Sequence, residues 1–269
     1  MAAPTHKLIQ HWTRTDTVNT GSRDRNPLTL ALWACLWIAG LANWPLWRTL
    51  AALPEMQTPH GIVFACAFFG MVAALTFLLL APFAWRWSIK PFITLFLLAA
   101  AAGAYFMGTY GVVIDTTMML NVLHTDAREV RDLLSITLLG NLLLLAGLPI
   151  FWLWRAPAVT ATGWRQFGLN AAGIAGAIIV FAALAFASYA DLSATMRNHR
   201  TMRFLINPVN SFYALGMLTH EASAMRQGPL LPIGLDAQIA AHQTGAKPPL
   251  MLLVIGETAR TQNFSLNGY

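Results

Sequence analysis

Long stretches without charge alternate with short polar segments over the first two-thirds of the chain. Five stretches of 22 to 25 residues contain no Asp, Glu, Lys or Arg. They cover residues 26–47, 61–85, 91–114, 133–154 and 166–190. A helix needs about 20 apolar residues to cross a bilayer. Because every backbone polar group must be paired inside the hydrocarbon, each stretch is predicted to be a transmembrane α-helix, the first beginning near residue 28.

The composition supports a membrane protein and argues against other classes. Hydrophobic residues make up 57% of the 269-residue chain and charged residues only 10%, against roughly 25% charged residues in a soluble domain. The net charge is +6, but the 17 Lys and Arg are scattered between apolar blocks. A nucleic-acid binder concentrates its basic residues in one patch. We therefore predict an α-helical membrane protein without a nucleic-acid partner.

The distribution of basic residues predicts the orientation of the helices. Cytoplasmic loops carry an excess of Lys and Arg. Eight basic residues flank one side of the five helices and three flank the other. The eight are Lys7, Arg14, Arg23, Arg25, Arg86, Lys90, Arg155 and Arg165, and the three are Arg48, Arg128 and Arg131. The N-terminus is therefore predicted to be cytoplasmic, and residues after 190 to lie outside, in the periplasm of a Gram-negative cell.

The composition changes after residue 190, which suggests three regions. Residues 1–190 form the membrane domain, and residues 191–248 are predicted to be bridging helices and a linker. Residues 249–269 read as the start of an α/β domain, because the six apolar residues 250–255 after a Pro-Pro pair predict a buried strand and residues 258–266 a short helix. A lone strand and helix cannot bury themselves. We therefore expect the chain to be a fragment or a truncated product.

Two polar features follow the last predicted span. Arg197, Arg200 and Arg203 are three residues apart and are expected to share one helix face. They either bind lipid phosphates or extend their charges into the interface as many membrane arginines do. Glu257 follows the predicted strand, where open α/β sheets place their ligand crevices. Its carboxylate is a candidate metal ligand or proton carrier, and the alternative role is to cap the following helix.

The segment around Glu257 resembles a known family. Val-Ile-Gly-Glu-Thr-Ala-Arg at 254–260, with Asn-Phe-Ser-Leu-Asn-Gly-Tyr at 263–269, is similar to the start of the catalytic domain of lipid A phosphoethanolamine transferases. This family includes the mobile colistin-resistance enzymes. Asn-Pro-Val-Asn-Ser at 207–211 resembles its bridging segment. The resemblance implies a bacterial inner-membrane protein with five helices and a periplasmic domain of the alkaline phosphatase/sulfatase type, in which Glu257 is a zinc ligand.

The same resemblance implies an activity. Members of the family move phosphoethanolamine from phosphatidylethanolamine to lipid A through a covalent threonine intermediate. Their nucleophilic Thr and remaining zinc ligands lie at positions expected beyond Tyr269, so no catalytic nucleophile is assigned in this chain and residues 1–269 alone are expected to be inactive. His199, His220 and His242 have no shared spacing. We interpret them as exposed loop histidines rather than substitute ligands.

A second polar cluster lies between the third and fourth predicted helices. On one continuous helix, Asn121, Thr125 and Glu129 fall on a single drifting face. An amide, a hydroxyl and a carboxylate suit an ammonium-bearing lipid headgroup, and the resemblance implies that these three residues bind the phosphoethanolamine substrate. His124 departs from the acidic residue that the resemblance leads us to expect. The alternative is local, because Asp126 with Glu129 resembles a helix capping box.

Two other functions remain open on the sequence alone. The chain is either catalytically inactive and acts as a membrane or lipid-binding module, or, as the weakest alternative, part of a transporter. A transporter is expected to carry ionisable residues within its spans or a clear repeat, and the five stretches have neither. Cys35 and Cys66 both lie in apolar stretches and are predicted to be small buried hydrophobic residues.

Overall fold

The computed structural model describes residues 26–157, 163–225, 235–236 and 252–253. All regular structure in these residues is helical. Five segments are long and apolar enough to cross a membrane, which confirms the predicted five-helix membrane domain. The chain divides into a unit of residues 1–226, which contains all the described helices, and a unit of residues 227–269.

The described residues form eleven α-helices. They are α1 (Pro27–Gly40), α2 (Trp44–Ala51), α3 (Pro59–Leu80), α4 (Ile89–Tyr110), α5 (Thr116–His124), α6 (Ala127–Leu133), α7 (Ile136–Leu142), α8 (Leu148–Arg155), α9 (Trp164–Ala187), α10 (Tyr189–Asn198) and α11 (Val209–Met225). The spans are α1 with α2, α3, α4, α7 with α8, and α9. Successive spans alternate in direction, so residues 52–58, residues 111–135 and α10 share one end of the bundle. We call this the α5 end.

The first span is interrupted by a short 3-10 segment, Leu41–Asn43, between α1 and α2. Side chains supply hydrogen bonds at this interruption. The Asn43 amide donates to the Ile38 carbonyl at 2.9 Å, and the Trp47 indole N–H donates to the Ala39 carbonyl at 2.7 Å. Such bonds are needed because unpaired backbone groups are costly inside a bilayer.

Helix α4 ends at Tyr110, before the predicted limit of residue 114. Gly111 follows with φ of 65° and ψ of 16°, and its N–H donates to the Met107 carbonyl at 3.1 Å. Glycine adopts this left-handed conformation without the steric cost that a Cβ adds, so it commonly ends a helix. Residues 112–114 are therefore apolar like the span, but they are not part of its helix.

The fourth span consists of α7 and α8 joined by a π-helical turn, Leu143–Gly147. Pro149 lies at the start of α8 and has no N–H to donate to the carbonyl four residues earlier, that of Leu145. The indole N–H of Trp37 donates to this carbonyl at 2.9 Å. A side chain of the first span thus supplies the bond that proline removes from the fourth.

The spans pack around two neighbouring buried clusters. Helix α3 lies against α1 and α9, and α4 lies against α1 and the fourth span. Cys35 is buried in one cluster, as predicted. Cys66 is exposed, so that prediction is wrong. Because α3 is apolar on every side, its sequence does not show which face packs against other helices.

Helix α9 is the least buried span, and two amides near its start attach it to the bundle. The side chains of Gln166 and Asn170 donate to the Ala84 carbonyl at 3.2 and 3.1 Å. The Gln166 amide also donates to the Asn170 side-chain oxygen at 2.7 Å. Both side chains are buried. This cluster lies at the end of the bundle opposite α5.

After the fifth span the chain forms α10, a 3-10 segment (Arg200–Leu205) and α11. The prediction that the three arginines share one helix face is wrong, because α10 ends at Asn198 and His199 leaves the helical region with ψ of 66°. Arg197 lies on α10, whereas Arg200 and Arg203 lie on the 3-10 segment. Residues three apart eclipse one another on a 3-10 helix, so these two remain aligned.

Candidate functional site

Helix α5 is held by a cap at its start and by packing against α11. The Asp115 carboxylate accepts a hydrogen bond from the Met118 N–H at 2.8 Å. Met119 packs against one of the buried clusters. These contacts fix the start of α5 and leave Asn121, near its end, exposed.

The prediction of a single helix through Asn121, Thr125 and Glu129 is wrong, because α5 ends before Thr125 and α6 begins after Asp126. Thr125 has ψ of 127°, outside the helical region. The Asp126 carboxylate accepts the N–H groups of Arg128 at 2.8 Å and Glu129 at 3.0 Å, and α6 begins there. An aspartate favours the N-cap because it pairs N–H groups that lack a helical partner. The alternative capping role is therefore confirmed for Asp126.

The three predicted site residues now lie on two helices and the break between them. The Thr125 hydroxyl donates to the Asn121 backbone carbonyl at 2.7 Å, which brings these two residues together. Glu129 lies in the first turn of α6 and is exposed. In the part of the chain that the structure describes, neither the Asn121 side-chain amide nor the Glu129 carboxylate has a hydrogen-bond or ion-pair partner.

This arrangement suits a polar ligand with both positive and negative groups. The Asn121 amide offers donors and an acceptor, and an ionised Glu129 accepts hydrogen bonds. The Thr125 oxygen keeps acceptor capacity after donating its proton. A ligand that reaches these groups replaces water rather than breaking internal bonds. The role of the three residues stays a prediction.

A second polar group is buried inside the bundle, beside the middle of α4. Asn43 and Asn207 are each fully buried. The Asn43 amide donates to the Asn207 carbonyl at 2.6 Å, and the Asn207 N–H donates back to the Asn43 side-chain oxygen at 2.8 Å. The Asn207 amide donates further to the carbonyls of Ala42 and Ala100. We call these bonds the Asn43–Asn207 junction.

The junction joins the segment before α11 to the first and third spans. Asn207 precedes a cis peptide bond to Pro208. Its side-chain oxygen lies so close to Gly103 that a Cβ at Gly103 would come within 2.6 Å. The sequence offered one signal for this contact, a lone Asn in an otherwise apolar stretch. The signal did not identify a partner 164 residues away.

The zinc-ligand prediction for Glu257 lies outside the described residues, as do the predicted helix 258–266, His242 and, apart from Leu252 and Leu253, the predicted strand. Leu252 and Leu253 lie in no regular element. Among the described side chains, no three His, Cys, Asp or Glu residues are grouped to hold a metal ion.

The remaining histidines do not behave alike. His220 is exposed as predicted, but it lies on α11 rather than in a loop, because the apolar residues of 209–225 support a continuous helix. His199 is half-buried where α10 ends. His60 at the start of α3 pairs with Asp191 of α10 at 3.0 Å, and His60 is largely exposed.

Comparison with known proteins gives a consistent result. The sequence model described as "Phosphoethanolamine transferase EptA/EptB" matches residues 72–222. The chain is 30% identical over 256 residues to "Phosphatidylethanolamine transferase Mcr-1" of Escherichia coli, a match that covers 92% of this chain and 46% of that protein. It is 30% identical over 250 residues to "Phosphoethanolamine transferase EptA" of Escherichia coli K12, covering 91% and 45%.

A solved structure shares the fold. The integral membrane protein lipooligosaccharide phosphoethanolamine transferase A (EptA) from Neisseria meningitidis superposes with a TM-score of 0.79 at 22% identity. The match covers 93% of this chain and 45% of that chain. This chain therefore spans somewhat less than half the length of its relatives. With the family model matching more than half of its residues, the chain belongs to the phosphoethanolamine transferase EptA/EptB family.

Proposed function

We propose that the chain is the membrane domain of an enzyme that moves phosphoethanolamine from phosphatidylethanolamine to lipid A. The observation that carries this proposal is the family match over residues 72–222, which includes the last three spans, the end of the second span and the α5–α6 segment, residues 116–133. Added phosphoethanolamine brings a positive charge to lipid A. That charge would weaken the attraction of cationic peptides such as polymyxins for the cell surface.

The proposed location is the bacterial inner membrane, with the N-terminus cytoplasmic and the α5 end periplasmic. The eight-to-three bias of Lys and Arg supports this orientation. It would place the α5–α6 segment at the leaflet that faces the periplasm. A reporter enzyme that works only in the periplasm should be active when fused after Tyr269, and activity of a cytoplasm-only reporter there would contradict the orientation.

The proposed headgroup site consists of Asn121, Thr125 and Glu129. The Glu129 carboxylate would pair with the substrate ammonium, and the Asn121 amide would donate to a phosphate oxygen. The Thr125 hydroxyl, which donates to the Asn121 carbonyl at 2.7 Å, keeps the two residues in register. The Asn121 and Glu129 side chains are exposed, and neither has a competing partner among the described residues, which supports this assignment.

The proposed chemistry has two displacements at phosphorus. In the first, a threonine oxygen attacks the phosphorus of phosphatidylethanolamine, and the bond between phosphorus and the diacylglycerol oxygen breaks. The threonine hydroxyl proton passes to the leaving diacylglycerol oxygen. A lipid A O–H group then attacks the same phosphorus, the bond between phosphorus and the threonine oxygen breaks, and the acceptor's proton passes to that oxygen and restores the threonine hydroxyl. We propose Glu257 as a ligand of a zinc ion, which would neutralise negative charge on the phosphoryl group. One carboxylate alone does not make a tight site, since zinc sites use three or four protein ligands.

The experiment that tests the proposal is a chimera. Residues 1–269 of this chain replace the aligned membrane half of Mcr-1, and the rest of Mcr-1 follows. We expect mass spectrometry of lipid A from cells that express the chimera to show a phosphoethanolamine adduct. Isotopically labelled ethanolamine, fed to label phosphatidylethanolamine first, should appear in the adduct.

Two controls make the outcome decisive. Cells without the chimera provide the background, and Mcr-1 at equal membrane level provides the positive signal. Residues 1–269 alone should give no adduct, because a bound lipid does not react without the nucleophile. A chimera that inserts and folds at the level of Mcr-1 but leaves lipid A unmodified would contradict the proposal and favour an inactive lipid-binding module.

A further inference from the structure

A cleft that carries charged residues lies between the first turn of α5 and the segment that leads into α11. Its volume is about 560 Å³. One wall carries the Asp115 carboxylate and the hydroxyls of Thr116 and Thr117, and the other carries Arg203 and Tyr213. The walls therefore differ in charge, with the Asp115 anion on one side and the Arg203 cation on the other, and each wall also carries hydroxyls that can donate or accept hydrogen bonds.

Asp115 and Arg203 are each positioned by a contact of their own. One oxygen of Asp115 accepts the Met118 N–H at 2.8 Å, which fixes the carboxylate at the start of α5. The Arg203 guanidinium lies 4.7 Å from the centroid of the Phe204 ring, a favourable position for a cation over an aromatic face. Within the described residues, neither forms an ion pair.

The cleft lies at the level of the membrane where lipid headgroups are found. The third span ends at Tyr110, and Asp115 follows five residues later. Aromatic and charged residues at this depth meet the polar headgroups of a bilayer. Apolar side chains of Ile206 and Val209 also line the cleft, and they suit the glycerol and the first carbons of an acyl chain.

We propose that this cleft binds the phosphoethanolamine headgroup of a phospholipid, with the phosphate at Arg203 and the ammonium at Asp115. Separated opposite charges match a zwitterion, and the guanidinium is the side chain best suited to a phosphate. Asn121 lies five residues beyond Thr116, the first residue of α5, which is roughly 8 Å along the helix. The cleft is therefore a separate site beside the proposed headgroup site of Asn121, Thr125 and Glu129, placed to deliver the donor lipid. This delivery role rests on the proposed function.

Lipid binding to the purified chain in detergent tests the proposal by native mass spectrometry. Equal amounts of phosphatidylethanolamine, phosphatidylcholine and phosphatidylglycerol compete for the protein. We expect phosphatidylethanolamine to be preferred, because its ammonium can donate hydrogen bonds to Asp115. Asp115→Asn keeps an oxygen that can cap α5 but removes the charge. It should lower the preference over phosphatidylglycerol roughly fivefold or more.

Matched variants distinguish the cleft from general attraction between charges. Arg203→Gln should weaken binding of all three lipids, whereas Arg200→Gln removes the same charge from the same segment outside the cleft and should change nothing. Equal losses in the two arginine variants would overturn the proposal. An unchanged preference in a folded Asp115→Asn variant would overturn it too. Free phosphoethanolamine bound as tightly as the lipid would overturn the assignment to a phospholipid.

This test contains no transfer step. A chimera that fails to modify lipid A would leave the binding preferences unaffected, and equal binding of the three lipids would leave the transfer test unaffected. Thermal unfolding of each variant shows that the compared proteins are folded.

Discussion

The Asn43–Asn207 junction lies inside the bundle and the α5–α6 segment lies at its α5 end, and their asparagines have opposite surroundings. Asn43 and Asn207 are fully buried and bond to each other and to the backbone. The Asn121 side chain is exposed, and no described group bonds to its amide.

This difference in burial indicates which polar side chains are available to a ligand. A buried amide that lost its internal partners would leave unpaired groups away from water, so its partners define a structural role. An exposed amide gives up only water when a ligand arrives. The junction thus holds the segment before α11 in place, while the Asn121 and Glu129 side chains of the α5–α6 segment remain exposed.

The largest expected effect is at the junction. Asn43→Ala removes the partners of the Asn207 N–H and carbonyl and leaves both buried. Each unpaired group costs about 1–3 kcal/mol, so the free energy of unfolding should fall by about 2–6 kcal/mol. Thermal unfolding in detergent measures the loss. Asn121→Ala deletes the same amide at an exposed site and should stay within about 0.5 kcal/mol. Similar losses in both variants would break the comparison.

A smaller effect is expected where the bundle encloses the junction. Gly103→Ala places a Cβ 2.6 Å from the Asn207 side-chain oxygen. The resulting strain should cost about 1–3 kcal/mol of unfolding free energy. Gly140→Ala is the control, because a Cβ there meets nothing within 4 Å. Chemical unfolding of both variants should separate them, and equal stability would mean that the contact at Gly103 relaxes without cost.

The α5–α6 segment should respond in transfer rather than in stability. In the chimera with Mcr-1, Glu129→Gln should lower transfer to lipid A about tenfold, since it removes one charge-assisted bond to the ammonium. Asp132→Asn changes another exposed carboxylate on α6 and should leave transfer unchanged. The rate of adduct formation in lipid A is the measurement. Normal transfer by Glu129→Gln would remove this residue from the proposed headgroup site.

The smallest effect concerns the cap of α6. Asp126→Ala removes the acceptor for the Arg128 and Glu129 N–H groups and should destabilise α6 by about 1 kcal/mol. Hydrogen–deuterium exchange should then accelerate in α6 while the spans keep their protection. Asp126→Asn retains a capping oxygen and should behave almost as the unchanged protein. If Asp126→Ala exchanged no faster, α6 would be held by something other than its cap.

The five spans were predictable because the bilayer leaves the chain little choice. Charge-free stretches of this length must pair their backbone groups as helices. The interruptions within the first and fourth spans could not be predicted from composition. The break after Gly40 and the π turn before α8 depend on partners from distant residues, such as the Trp37 indole at the Leu145 carbonyl. Spans that are apolar all round also hide their packing face, as the exposed Cys66 illustrates.

The polar residues of the candidate site were named from the sequence, but their geometry was not. A regular helical period placed Asn121, Thr125 and Glu129 on one face. The local signal at Asp126 ended that helix, because an aspartate bonds to N–H groups that begin a new one. The buried pair Asn43 and Asn207 was out of reach, since contacts between residues 164 positions apart arise only in the folded bundle.

The amides of α9 have a consequence for the order in which the membrane domain assembles. Gln166 and Asn170 both donate to the Ala84 carbonyl, which belongs to the turn between the second and third spans. That turn emerges from the ribosome long before α9, and water can satisfy its carbonyl at the membrane surface in the meantime. The fifth span therefore packs against spans that are already in place. As it does so, the Ala84 carbonyl exchanges water for the two side-chain amides. Helix association in lipid relies on close packing and on such bonds in place of a hydrophobic force, so the two amides add to the packing of α9 against α3.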